Sequence, residues 1–217
     1  MKKPWLCWTA GLCLACQVAA DAPARAAACD PHAVPDAYTP ALQGFVASFV
    51  PAGQHEVLRR SVSLDGASAE LIRWQAQAPI ALGGEHVSLL WSPKGHLQGF
   101  ADMRLPDADA PLPSKDEAQA AADAFVQAHA PDLLGSRELH WIRPHDETVL
   151  KGGRPHKLRG MKVKMRNRSD GRWFWVIVGA QGRPIVFERD IVWLNLPGKR
   201  QTEKWLHDDW LAQQGRP

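Results

Sequence analysis

The sequence predicts an α+β fold built from two helix-plus-antiparallel-sheet units in tandem. Two observations carry this expectation. Each half of the chain holds one amphipathic stretch followed by several short apolar or alternating runs, punctuated by Gly and Pro turn signals. The halves also share hairpin landmarks: when Gly95 is laid on Gly182, Phe100 falls on Phe187. Pro106 to Pro113, a Pro/Asp/Ala segment, reads as the linker between them. The expected organisation is a signal sequence over 1–28, a first α+β unit over 29–105, and a second over 114–217 that includes a C-terminal helix.

The chain opens with Lys2 and Lys3, continues with an apolar stretch from Trp5 to Ala20, and enters an Ala-rich run with Asp21 and Arg25. A charged start, an apolar middle and a small-residue end make a bacterial-type export signal. The apolar part is too short to span a bilayer, which takes about 20 residues. Ala24-Arg25-Ala26, Ala26-Ala27-Ala28 and the region around Val18-Ala19-Ala20 all fit the small-x-small cleavage pattern. The expected location is periplasmic or secreted. A lipoprotein alternative rests on Leu14-Ala15-Cys16, which resembles the end of a lipobox although Cys13 stands where Leu is usual. It would make Cys16 the lipidated residue and anchor the protein at the outer membrane.

Of the four cysteines, Cys7, Cys13 and Cys16 lie within the signal region. Only Cys29 could remain after cleavage, so no intramolecular disulfide is expected. The domain must stand on its core, for which about 190 residues suffice. The whole chain has 26 basic and 23 acidic residues. Removing Lys2, Lys3, Arg25 and Asp21 leaves the rest nearly neutral, which gives no global argument for nucleic acid. Ten Trp against one Tyr is unusual.

In the first unit, Tyr38 to Val50 reads as a short helix ended by Pro51-Ala52-Gly53. Strands are expected at Val57–Leu64, Ala69–Gln75, His86–Trp91 and Leu97–Leu105. Ser92-Pro93-Lys94-Gly95 has Pro and Gly where a type I turn with a glycine bulge wants them. In the second unit, Ser114 to Ala130 is the clearest helix. Ser114 and Glu117 form a capping box, Ala118, Ala121, Ala122, Phe125 and His129 recur at helical spacing, and Pro131 ends it. Strands follow at Glu138–Arg143, Leu158–Arg166, Arg172–Val178 and Ile185–Leu194. Gly179-Ala180-Gln181-Gly182 takes the place of the Ser92–Gly95 turn, and the second copy carries an insertion before its last hairpin. Thr202 to Gln213 reads as a helix capped by Thr202, docked on the sheet through Trp205, Leu206, Trp210 and Leu211.

This layout resembles the PepSY-like domains, a family that includes propeptide domains of secreted metallopeptidases. The Ser114-Lys115-Asp116-Glu117-Ala118 helix start, the Ala-rich helix ending at Pro131 and the Gly-turn hairpins carry the likeness, mainly over residues 114–194. The first half matches poorly. The resemblance implies a helix paired with a small antiparallel sheet, often in tandem. It further implies a non-catalytic domain that binds or restrains a partner in the cell envelope. No peptidase domain follows, so a propeptide role as such is not expected.

Catalytic and metal-binding patterns are weak. His140 and His145 flank Pro144 without metal-ligand spacing, and no His-Glu-x-x-His occurs. His207-Asp208-Asp209 places an imidazole beside two carboxylates, but helical neighbours point about 100° apart and do not converge. A site shared with Glu188 or Asp190 is the alternative. There is no Gly-x-Ser-x-Gly and no phosphate loop; Gly152-Gly153 is a turn. Ser92, Ser136 and Ser169 sit in turn contexts.

The most distinctive feature is a basic strand. Lys162, Lys164, Arg166 and Arg168 alternate with Met161, Val163 and Met165, so strand periodicity puts the cations on one face. The next strand, Trp173 to Val178, is apolar on both faces, and its sheet is expected to be covered on both sides. A three-residue Ser169-Asp170-Gly171 loop would align Phe174 and Val176 with the cations, whereas a two-residue loop would align Trp173 and Trp175. The three-residue form is the expectation, by analogy with the other Gly hairpins. Two rival accounts of the basic face are a partner-binding surface and a solvated face partly neutralised by Glu188 and Asp190.

The expected function is a non-catalytic exported binding or inhibitory domain acting on an envelope protein. Lys162, Lys164, Arg166, Arg168, Trp205 and Trp210 are the candidate contact residues. No cofactor, metal or nucleic acid is expected, and contact with a membrane only through lipidation. The rivals are a periplasmic hydrolase or metal-dependent enzyme, and an envelope lipoprotein or immunity-type protein.

Overall fold

Thr39 begins the first helix, α1 (Pro40–Phe49), by accepting the Leu42 N–H on its hydroxyl. Pro40 stands in the first turn, where a missing N–H leaves no bond unmade. The computed structural model describes residues 39–64, 66–106, 110–194 and 199–214. The signal-sequence reading over 1–28, the lipidation candidate Cys16 and the thiol of Cys29 lie outside them.

Four strands follow α1: β1 (His55–Leu64), β2 (Ala67–Gln75), β3 (Val87–Trp91) and β4 (Leu97–Asp102). A second helix, α2 (Lys115–His129), precedes another four: β5 (Arg137–Lys151), β6 (Arg154–Asn167), β7 (Trp173–Val178) and β8 (Pro184–Ile191). The capping box at Ser114 and Glu117 is present in full, with the Ser114 hydroxyl accepting the Glu117 N–H and the Glu117 carboxylate accepting the Ser114 N–H. All eight strands form one antiparallel sheet in the order β1-β2-β3-β4-β8-β7-β6-β5, so the last strand of each half meets the other at the centre. There Phe100 pairs with Phe187. The fold is therefore mostly antiparallel sheet with a few helices, an α+β arrangement.

Several elements differ from expectation. β5 and β6 run well beyond Glu138–Arg143 and Leu158–Arg166, closing in a two-residue turn at Gly152-Gly153, both with positive φ. Pro144 is tolerated because β5 is an edge strand, and Pro155 because β6 pairs with β7 only from Met161 onward. β4 stops at Asp102, whose carboxylate turns back onto the Arg104 N–H and guanidinium. Beyond β8 a two-strand ribbon of β9 (Trp193–Leu194) and β10 (Lys199–Arg200) replaces the end of the expected Ile185–Leu194 strand. The last helix, α3 (Asp208–Gln214), begins later than Thr202. The Thr202 hydroxyl and carbonyl are taken by Arg200 Nε, so Thr202 caps nothing.

The sheet is covered on both faces over its centre. On one face α1 and α2 bury Leu42, Phe45, Val46, Ala118, Ala122, Phe125 and Val126 against Ile72, Leu89, Phe100, Val163, Phe174, Val176 and Phe187. On the other, the C-terminal segment buries Trp205, Leu206 and Leu211 against Leu71, Leu90, Ala101, Trp175, Ile177 and Val186. The expectation that β7 is apolar on both faces because both are covered is met by the protein's own elements.

Candidate binding face

The register of β6 and β7 decides what surrounds the basic strand. Asn167 and Arg172 close the hairpin through an Asn167 N–H to Arg172 carbonyl bond, leaving four loop residues, 168–171. The Asn167 side-chain oxygen accepts from the Ser169 N–H and from both the Ser169 and Ser136 hydroxyls. Asp170 accepts the Arg172 N–H, and Gly171 takes a positive φ. This fixes an even loop, and the expected three-residue form is incorrect. Lys164 lies opposite Trp175 and Arg166 opposite Trp173, while Phe174 and Val176 join the helix-covered face.

The cations consequently stand among indoles. Lys162 Nζ is 3.7 Å from the centroid of Trp175. Lys164 Nζ lies 4.1 Å from Trp173 and 5.6 Å from both Trp141 and Trp193. Arg166 approaches Trp173 at 5.5 Å, and Arg143, from β5, approaches Trp141 at 5.2 Å. Such contacts contribute about 0.5–2 kcal/mol each, more where water is excluded. Burial grades along the strand: Lys162 is mostly buried, Lys164 half-buried and Arg166 exposed. Arg143, Lys164 and Arg166 pair with no carboxylate among the described residues. Arg168 does not belong to this face, since it lies in the turn with its N–H on the Ser136 carbonyl.

Glu188 and Asp190 make no ion pair with the strand's cations among the described residues, although the charge of Glu188 favours the ammonium of Lys162. Glu188 is buried in a two-bond pair with Arg200 at 2.8 and 3.2 Å, and Asp190 faces Arg189 at 3.2 Å. Arg189 also grips Asp132. Arg200 gives its remaining donors to the Thr202 and Glu203 carbonyls, so the β9–β10 ribbon is pinned over the sheet.

Between the sheet and this ribbon lies a cavity of about 420 Å³. Its apolar lining includes Ile177, Val186, Leu206 and the Trp175 ring; its charged lining is Lys162, Lys199, Arg200, Lys204, Glu147 and Glu188. Four cations thus meet two carboxylates. Glu147 is bonded to His145 at 3.0 Å. Burial pushes the Glu147 carboxyl up, but His145, with the charges of His207 and Lys162, outweighs it and the net direction is down. Lys162 is pulled down to about 8, chiefly by burial, with Glu188 and Glu147 opposing.

The candidate His207-Asp208 pair does not converge. His207 is exposed at the cavity. Asp208 turns the other way, holding the fully buried Arg73 at 2.5 and 3.1 Å and accepting the Gly83 N–H. Its role is to clamp α3 onto β2. Among the described residues no group of three or more His, Cys, Asp or Glu side chains is arranged to hold a metal ion. Nor does any described helix reach the length and apolarity needed to cross a membrane.

Trp205 is 2 % exposed and lies against Gly99, so it anchors the C-terminal segment and is not presented to a partner. Trp210 is half-buried and donates its indole N–H to Glu203. The expected docking through Trp205, Leu206, Trp210 and Leu211 holds, and it removes Trp205 from the candidate surface. Trp141, Trp193, Arg143 and Lys199 join it instead. Trp141 and Arg143 could have been found from their alternation in the expected Glu138–Arg143 strand; Trp193 and Lys199 depend on a ribbon with no clear local signal.

No family model matches the chain, nor does any curated protein. Among solved structures, the chain is similar to the YpeB C-terminal domain of Bacillus megaterium, with 13 % identity and a TM-score of 0.24. The match covers 69 % of this chain and spans 62 % of that one. At that score the likeness carries no argument about fold or function.

Proposed function

We propose that the chain is a non-catalytic exported domain that binds an acidic segment of a protein partner in the cell envelope. One observation carries this reading: Arg143, Lys164 and Arg166 stand beside Trp141, Trp173 and Trp193 on one sheet face, unpaired with carboxylate among the described residues. Aromatic surfaces with free cations suit an acidic, partly apolar partner, where steering comes from charge and contact area from the indoles. The Lys2-Lys3 start and the apolar run to Ala20 support export.

Two PepSY-like units in tandem are the architecture that goes with this reading. The helix-then-four-strands order occurs twice, and the sheet order is symmetric about β4 and β8. Residues 29–105 and 114–217 would be the two copies.

The test is a pull-down from periplasmic extract at low and high salt, with wild type and the Lys164→Glu/Arg166→Glu variant. Recovery of one partner only by wild type at low salt supports the reading, because charge-steered contacts weaken with screening. Equal recovery in all four conditions removes it. N-terminal sequencing of the fractionated protein should begin between Cys16 and Cys29; a cytoplasmic chain retaining Lys2 would remove the export part.

A further inference from the structure

The cavity under the β9–β10 ribbon holds an ammonium with unmet capacity. Lys162 is mostly buried on its floor and pairs with no carboxylate among the described residues; the Trp175 ring takes one side of its ammonium. Trp175 is 4 % exposed, so its ring forms a dry wall beside that ammonium. The other cationic group of the interior, Arg200, is spent on Glu188, Thr202 and Glu203. A mostly buried ammonium without an ion-pair partner among the described residues therefore remains in a partly apolar chamber.

We propose that this cavity is a binding site for a small organic carboxylate with an apolar body, received through Lys162. Several features select that class. The volume lies within the range of about 300–1,000 Å³ usual for small-molecule pockets. Ile177, Val186 and Leu206 offer an apolar wall for the ligand body. Glu188 is spent on Arg200 and Glu147 is bonded to His145, so the remaining cations leave the chamber net positive, which suits an anion. Lys199 and Lys204 are exposed lining residues and would draw an anion inward. The site goes beyond the partner-binding face and does not depend on it.

Isothermal titration of the purified protein with 2-naphthoate tests the assignment, with 2-naphthalenemethanol as the neutral counterpart and inorganic phosphate as the compact anion. Naphthoate should bind one to one and at least about tenfold more tightly than the alcohol, the factor expected of a charge-assisted contact. Lys162→Met should weaken it by about the same factor, and Lys162→Arg should restore part of the loss. Equal affinity for acid and alcohol would overturn the proposal, leaving an apolar cleft. Phosphate binding as tightly as naphthoate would also overturn it, leaving a general anion patch. So would a folded Lys162→Met that binds naphthoate like wild type. If that variant does not fold, the comparison of ligands on wild type decides alone. Loss of the envelope partner with naphthoate binding intact would remove only the partner reading.

Discussion

Phe100 and Phe187 are register partners across the seam between β4 and β8, and neither side chain is exposed to solvent. Only three residue pairs, Gly99 to Ala101 with Glu188 to Val186, join the two halves of the sheet there. Phe125 from α2 covers both rings, at 6.1 Å from Phe100 and 5.4 Å from Phe187, and Phe45 from α1 reaches Phe100 at 5.3 Å. Both helices thus converge on the seam. Phe187→Ala should cost about 3–5 kcal/mol in urea unfolding, because these packed neighbours cannot all collapse into the void. Phe100→Ala should cost a similar amount, and the double variant should depart from additivity, since both rings share Phe125. A seam that tolerates either change within 1 kcal/mol, on the order of an exposed substitution, would mean the halves hold together elsewhere.

Gly99 permits the C-terminal segment to dock. A Cβ there would overlap the Trp205 ring. Gly99→Ala should therefore displace Trp205 and expose an indole that is now buried, shifting fluorescence to the red. Stability should fall by about 1–3 kcal/mol, the range for overpacking. In a Trp205→Ala background the same change should cost much less, because the close neighbour that remains is the Phe187 carbonyl oxygen, 3.1 Å from the added carbon. An equal penalty in both backgrounds would place the conflict with the backbone near Phe187 instead.

Local chemistry made some of this fold legible and left other parts hidden. Ser114 and Glu117 announce α2 because a capping box is satisfied by residues three apart, with no help from tertiary contacts. Ser92 to Gly95 reads as a turn for the same reason, and Gly95 adopts the positive φ its position demands. The β6–β7 loop was not legible. Its length hangs on Asn167, whose side-chain oxygen gathers Ser169 and the distant Ser136, and this choice moves every Trp of β7 to the opposite face. Lys162 was visible as one of four alternating cations, but its place in a cavity needs the β9–β10 ribbon, held by the Arg200–Glu188 pair. The resemblance to a PepSY-like unit expected over residues 114–194 rests on such local signals, whereas the candidate site comes from long-range ones.

Acid should loosen the C-terminal clamp through His86. Burial, and then the charge of Arg73, pull its pKa from 6.5 to about 4, while Asp208, the Gly84 carbonyl and Asp102 oppose. The unfolded chain takes up a proton near 6.5 that the folded one refuses until about 4. Stability from this group is complete above 6.5 and is lost as pH falls toward 4. Asp208 is pushed up by burial but held below its ordinary range by Arg73, so its share is lost only at still lower pH. Urea midpoints should fall between pH 6.5 and 4, and His86→Gln should flatten that slope. An unchanged slope would assign the loss to another group. Asp208→Ala, which leaves the buried Arg73 unpaired, should cost about 3–5 kcal/mol at neutral pH.

Lys162 should show the opposite behaviour in alkali. Burial holds its ammonium at about 8 against an ordinary 10.5, with Glu188 and Glu147 resisting and Lys164 and Arg200 adding to the effect. Between those two values the unfolded chain keeps a proton that the folded one has released. Stability contributed by this group therefore rises with pH across that window, by up to about 1.4 kcal/mol per pH unit. Below pH 8 the folded protein carries a cation it would hold more readily in water. The Trp175 face offsets part of that cost, about 0.5–2 kcal/mol for such a contact. Comparison with Lys162→Met isolates the group, because every other alkaline titration is common to both proteins. The wild type should gain on the variant steadily from pH 8 to 10.5 in urea unfolding. Naphthoate affinity should fall over the same rise in pH, starting near 8 and displaced upward at saturating ligand, because a bound carboxylate favours the ammonium. Parallel stability profiles would mean that Lys162 keeps its ordinary proton affinity and that water reaches the cavity floor.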